Sequence, residues 1–297
     1  MSFSNEVAAA YSFVERGALK SQKMFRRFIF TVCLALLPIA GGCDINRNRD
    51  RDIGPDTARR ELVLRGHPYK PDVFLSRAGD GDVTAVKLFL IAGMSAEVRN
   101  ATDETPLLVA AKSGNAKVAR ALLERGANIN ARDKDGHTAL TRAVLEGSVE
   151  TVRVILEFKP DVNAQTSDGS TALMYSVYKD RPEVFQALID AGADLNRSDQ
   201  GVGTALTWAV YYNRAKLAEI LLDRGADPNV ANDLGGTPLM IAASTGNARI
   251  TELLLHRGAD PSLKDKDGKT ALRWATGTGR DEVAKMLKQA VGQKGRE

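Results

Sequence analysis

Thr138-Ala139-Leu140 is one of six copies of the same signal, and in four of them, as here with Gly147, a glycine stands nine residues on. Thr105-Pro106-Leu107, Thr171-Ala172-Leu173, Thr204-Ala205-Leu206, Thr237-Pro238-Leu239 and Thr270-Ala271-Leu272 repeat it at a constant spacing of 33 residues. A fixed period of this length marks stacked structural units, none of which can bury its apolar face alone.

Two glycine columns run in the same register. Gly93, Gly126, Gly192, Gly225 and Gly258 each follow an apolar helical run such as Ala119–Glu124, where a helix end calls for a left-handed residue. Lys159 breaks this column and is expected to strain that turn. Gly81, Gly114, Gly147, Gly246 and Gly279 form the second column, with Asp180 and Asn213 at the two remaining positions. Asp and Asn are the side chains that best tolerate positive φ, so these substitutions obey the same geometry.

Each unit therefore reads as a turn at a tip such as Asp133-Lys134-Asp135-Gly136, a short threonine-capped helix, and a second helix. Val149, Val152, Ile155 and Leu156 set the helical spacing of that second helix. Pro182 fits the first turn of its helix, which has no amide bond to lose. The period, the Thr-Pro-Leu signal and the glycines together resemble the ankyrin repeat. That resemblance implies an all-α solenoid of about seven helix-turn-helix units, with short β-hairpin or turn fingers.

Running the period backwards puts Phe74 on the leucine column, so the first unit is a degenerate one. The repeat domain is expected over residues 61–292, with units at 72–100, 101–133, 134–166, 167–199, 200–232, 233–265 and 266–292. A polar capping helix near Ala58 to Leu64 precedes them. Glu282, Lys285, Lys288 and Gln289 give the last unit the polar outer face that a terminal repeat needs. Residues 43–60 and 293–297 read as a disordered tether and tail.

Residues 1–42 read as an upstream extension plus a signal peptide. Arg26 and Arg27 give a basic start to the apolar run Phe28–Ala40, which is too short to cross a bilayer as a helix. Met24 is the natural beginning of such a signal. The small residues Ala40, Gly41 and Gly42 before Cys43 resemble a bacterial lipoprotein signal, although Ala40 stands where leucine is usual. The resemblance implies acylation of Cys43 and a lipid-anchored, periplasm-facing protein of the cell envelope. In enterobacterial lipoproteins an aspartate after that cysteine favours the inner membrane, and Asp44 occupies that place. A cytoplasmic location is the alternative. Cys33 is the other of two cysteines and lies in the apolar run, so the processed chain could form no internal disulfide.

The chain carries 41 basic and 37 acidic residues, and residues 1–42 hold five of the former and two of the latter. The remaining 36 and 35 nearly cancel, so the exported part has no basic footprint for nucleic acid. His67, His137 and His256 are too scattered for joint catalysis, and no nucleophile, phosphate-loop or zinc motif is present. No enzyme activity, cofactor, metal or small-molecule substrate is expected. The acidic tips at Asp133, Asp135, Asp199, Asp233, Asp265 and Asp267 are expected to bond their own backbone amides rather than calcium.

In ankyrin proteins the first helices and the fingers line a concave groove. The positions four, seven and eight residues after each threonine are its exposed first-helix positions. Tyr175, Tyr178, Trp208, Tyr211, Tyr212 and Trp274 occupy six of them, which accounts for both tryptophans and four of the six tyrosines. Large aromatics dominate binding hot spots, so these six are the candidate partner-binding residues. The opposing reading is that they pack on neighbouring fingers and stiffen the array. The expected function is a membrane-tethered module that binds another protein. A cytosolic scaffold, or a structural or stress-protective envelope factor, is the alternative.

Overall fold

The computed structural model of the chain describes residues Ile53–Lys294. The expected signal peptide, the Met24 start and the Cys43 lipidation site lie outside the described residues. Among the described residues there are fifteen helices and no strand, so the fingers are turns. None of these helices is long and apolar enough to cross a membrane.

The helices are α1 (Pro55–Leu64), α2 (Pro71–Gly79), α3 (Val83–Ile91), α4 (Pro106–Lys112), α5 (Ala116–Glu124), α6 (Ala139–Glu146) and α7 (Val149–Glu157). Continuing along the chain come α8 (Ala172–Tyr178), α9 (Pro182–Asp190), α10 (Ala205–Tyr211) and α11 (Ala215–Asp223). The array ends with α12 (Pro238–Thr245), α13 (Ala248–His256), α14 (Ala271–Gly277) and α15 (Asp281–Lys294). From α2 onward they form seven pairs, in which first helices pack on first helices and second on second.

All six threonines cap their first helices. Each hydroxyl accepts the amide three residues on, as Thr105 does from Leu108 and Thr204 from Thr207. The degenerate first unit has no such cap on α2. Phe74 replaces leucine there and packs at a tilt on Phe89 with centroids 5.2 Å apart. Phe74, Leu107, Leu140, Leu173, Leu206 and Leu239 are at most 1% exposed and form one continuous column. A second column ties units along the outer edge: Asn130, Asn163, Asn196 and Asn229 accept the amides of Asp161, Asp194, Asp227 and Asp260 at 2.7–2.9 Å.

Two boundaries differ from the sequence reading. The helix α1 begins at Pro55, inside the span read as tether. Pro55 has no amide to lose at the first helical position, and Asp56 suits the first turn. Ala58 and Leu62 are fully buried, while Arg59 donates twice to the Ala92 carbonyl, so few apolar residues suffice to dock it. At the other end α15 runs on to Lys294, past the unit boundary at 292. Its Val283, Ala284 and Leu287 are buried, whereas Glu282, Lys285, Lys288 and Gln289 face solvent.

The breaks in the glycine columns adopt the geometry of the glycines they replace. Asp180 and Asn213 have φ of 52° and 55°, and Lys159 has φ of 54°. A lysine has no side-chain means of easing that conformation, whose cost is about 1 kcal/mol or more. Lys159→Gly is therefore expected to stabilise the array by about 0.5–1 kcal/mol, since glycine's extra chain entropy offsets part of the gain. An unchanged or lower urea midpoint would show that the turn at Lys159 is not strained.

Candidate functional site

The fingers are built on one residue per unit: Asn100, Asp133, Thr166, Asp199, Asn232 and Asp265. Asp199 Oδ1 accepts the amides of Gly201 and Gly203 at 2.9 and 2.7 Å. Asn100, Asp133, Asn232 and Asp265 close their turns in the same way, with bonds of 2.8–3.0 Å. In the Thr166 unit, Asp168 accepts the Ser170 amide instead. Asp133, Asp199 and Asp265 thus play the expected turn role. Asp135, Asp233 and Asp267 do not, because among the described residues their exposed carboxylates bond no backbone amide, and Asp267 takes Lys269 at 3.0 Å. Among the described residues no group of His, Cys, Asp or Glu side chains converges as metal ligands.

The second oxygen of each finger carboxylate points at the first helix, nine residues along the chain. Trp208 Nε1 donates to Asp199 Oδ2 at 2.7 Å, and Trp274 Nε1 to Asp265 Oδ2 at 2.8 Å. Arg142 donates to Asp133 Oδ2 through both Nε and Nη2. Where the helix offers a hydroxyl, the finger has one as well, and Tyr175 meets Thr166 at 3.3 Å. Where the helix offers only Val109 or Ile241, the finger residue is an amide, Asn100 or Asn232. The Asn100 amide group turns to Glu104 at 2.8 Å, and that of Asn232 to the Val202 carbonyl at 3.4 Å. Carboxylate, hydroxyl and amide are each matched to what faces them, as buried polar groups require.

This pairing divides the six aromatic candidates. Tyr175, Trp208 and Trp274 are half-buried, and their polar atoms are spent on fingers. Tyr178 and Tyr211 are 44% and 54% exposed, and Tyr212 is half-buried. Five of the six rings form one cluster. Tyr178 lies 6.2 Å from Trp208 and 5.2 Å from Tyr212, Trp208 lies 5.7 Å from Tyr212, and Tyr211 lies 5.1 Å from Tyr212. Tyr175 touches Trp208 edge-on at 6.3 Å and His137 of the preceding finger at 5.7 Å. Trp274 stands apart, with Lys269 Nζ 5.0 Å over its ring.

Burial, and then the nearby Tyr178, Tyr211 and Asp199, push the Tyr212 phenol up from its usual pKa. Burial does the same for Tyr175, with Asp168 adding to it. His137 is held below its usual value by burial and by Arg142. All three groups are thus kept neutral near pH 7. Towards the N-terminal end the groove holds about 980 Å³ between α2, the finger at Arg99–Ala101 and α4, lined by Leu75, Asn100, Val109 and Lys112 among others.

The ankyrin-repeat family profile, in three copies, matches residues 75–166, 158–232 and 206–295. This chain belongs to the ankyrin-repeat family. The ankyrin repeat domain of Bcl-3, described as a unique member of the IkappaB protein family, superposes with a TM-score of 0.67 at 29% identity, covering 74% of this chain and 98% of that one. The human ASB11 ankyrin repeat domain gives 0.62 at 27% identity, covering 73% and 96%. An ankyrin repeat domain from Acinetobacter baumannii gives 0.58 at 32% identity, covering 62% and 97%. A search of curated protein sequences returned no significant match. Ankyrin repeats are in general non-enzymatic modules that bind other proteins, and the groove of this ankyrin array is where its unspent aromatic groups lie.

Proposed function

We propose that this ankyrin protein is a binding module of the bacterial cell envelope, held on a membrane through lipid on Cys43, that grips a partner protein with Tyr178, Tyr211 and Tyr212. One observation carries the choice of residues. Among the described residues the hydroxyls of these three tyrosines bond no protein group, while the Tyr175 hydroxyl and the Trp208 indole N–H are tied to fingers. Tyrosine with an open ring face and a free hydroxyl offers large contact area at low entropic cost. The array beneath is already ordered by the finger bonds, so little ordering opposes association. The tether rests on the sequence alone, on the apolar run before Cys43.

Tyr178→Ala with Tyr211→Ala tests the surface, because exposed side chains leave the fold with little stability cost. Replacing Trp208 instead would also break its finger bond. The double variant is expected to weaken capture of the envelope partner roughly tenfold or more, with a urea midpoint close to wild type. Capture at wild-type strength would refute the groove assignment. Palmitate labelling that is unaffected by Cys43→Ser would refute the tether, leaving a cytosolic scaffold.

A further inference from the structure

Trp274 and Trp208 occupy the same register, and each indole N–H is bonded to a finger carboxylate. A charge-assisted bond of this kind draws negative charge towards the ring and strengthens its attraction for cations. Trp274 already holds one, Lys269 Nζ at 5.0 Å. In the Trp208 unit the residue at the register of Lys269 is Gly203, which has no side chain. Among the described residues no cation of the protein lies over Trp208, Tyr211 or Tyr212. Lys179 Nζ sits 5.5 Å over the Tyr178 ring, and among the described residues it has no carboxylate partner. Among the described residues, Glu146, exposed on α6 in the unit before the cluster, makes no ion pair.

We infer that the partner docks by presenting an arginine or lysine side chain to the Trp208–Tyr211–Tyr212 rings, in the role that Lys269 plays for Trp274 within the chain. The inference rests on the proposed groove binding and narrows it to a cationic segment. Asp199, behind the indole, supplies the negative charge, and the free hydroxyls of Tyr211 and Tyr212 supply hydrogen bonds around the bound cation.

The two indole N–H signals of the protein, told apart with Trp274→Phe, provide the test. The probes are an Ac-Gly-Arg-Pro-Gly-Arg-Pro-amide peptide and its counterpart with Gln for Arg. The arginine peptide is expected to shift the Trp208 signal saturably, and the glutamine peptide to bind roughly tenfold more weakly. The Trp274 signal is expected to stay still until Lys269→Ala opens its ring to the arginine peptide. Equal binding of the two peptides, or no shift at Trp208 with millimolar peptide, overturns the cation inference. If both bind equally and both are lost in the Tyr178→Ala, Tyr211→Ala variant, the cation inference fails while the groove reading stands. Binding that ignores those tyrosines defeats both.

Discussion

Asp199→Ala is expected to destabilise the repeat domain by on the order of 3 kcal/mol, because it leaves three donors, one of them buried, without their acceptor. Those donors are the amides of Gly201 and Gly203 and the Trp208 indole, and Asp199 itself is 6% exposed. Asp199→Asn separates the two jobs of the side chain. Its oxygen still closes the turn, as Asn232 does one unit later, but its amide group now faces the Trp208 N–H, donor against donor. A double-mutant cycle with Trp208→Phe, which removes that N–H and keeps an aromatic ring, is expected to show a coupling of about 1.5 kcal/mol or more, the usual worth of a bond to a charged acceptor. Hydrogen exchange at the Gly203 amide is the local check, since it should quicken in Asp199→Ala and not in Trp208→Phe. Additive losses would mean that the indole bond does not hold the finger.

The fold was legible where a single residue decides the backbone locally. A threonine cap and a left-handed turn each depend on one side chain, so the Thr105 series and the glycine columns could be read position by position. Asp180 and Asn213 strengthened that reading, because they are the substitutions the geometry tolerates. The start of α1 was not legible, because only Ala58 and Leu62 bury themselves, while Val63 and Leu64 lie exposed and most of the rest of Pro55–Leu64 is polar. The docking of α1 depends on Arg59 reaching the Ala92 carbonyl, a contact across 33 residues that no local pattern announces.

Membership of the aromatic cluster was likewise written in the register, but the division of labour within it was not. Whether Trp208 is spent on the fold or free for a partner depends on what its finger offers nine residues earlier. The signal was present all the same. Asp precedes Arg142, Trp208 and Trp274, Thr precedes Tyr175, and Asn precedes Val109 and Ile241. Reading the two columns as pairs rather than singly exposes the match, and leaves Tyr178, Tyr211 and Tyr212 as the rings with no internal assignment.

Acid should weaken the N-terminal part of the array through Glu104. Its carboxylate is 7% exposed and lies beside the Asn100 finger. Burial alone would raise its pKa. Bonds from Lys112 and Asn100 at 2.8 Å and from Thr102 at 2.9 Å outweigh that and hold it at about 2, against 4.5 for an ordinary glutamate. A carboxyl with a depressed folded-state pKa stabilises the fold fully above its unfolded value. That contribution, on the order of 3 kcal/mol, is lost as the pH falls from about 4.5 to about 2. Glu104→Gln removes the titration while keeping the shape, so at pH 7 it is expected to be less stable by about that amount. The gap between wild type and variant should close progressively below pH 4.5 and vanish near pH 2. Urea titrations of both proteins across that range read the difference directly, with other carboxylates common to the two cancelling. A gap that is constant with pH would assign the loss to altered packing rather than to the charge of Glu104. A gap that is absent at pH 7 would mean that Lys112, whose side chain is 55% exposed, solvates the carboxylate no better than water does.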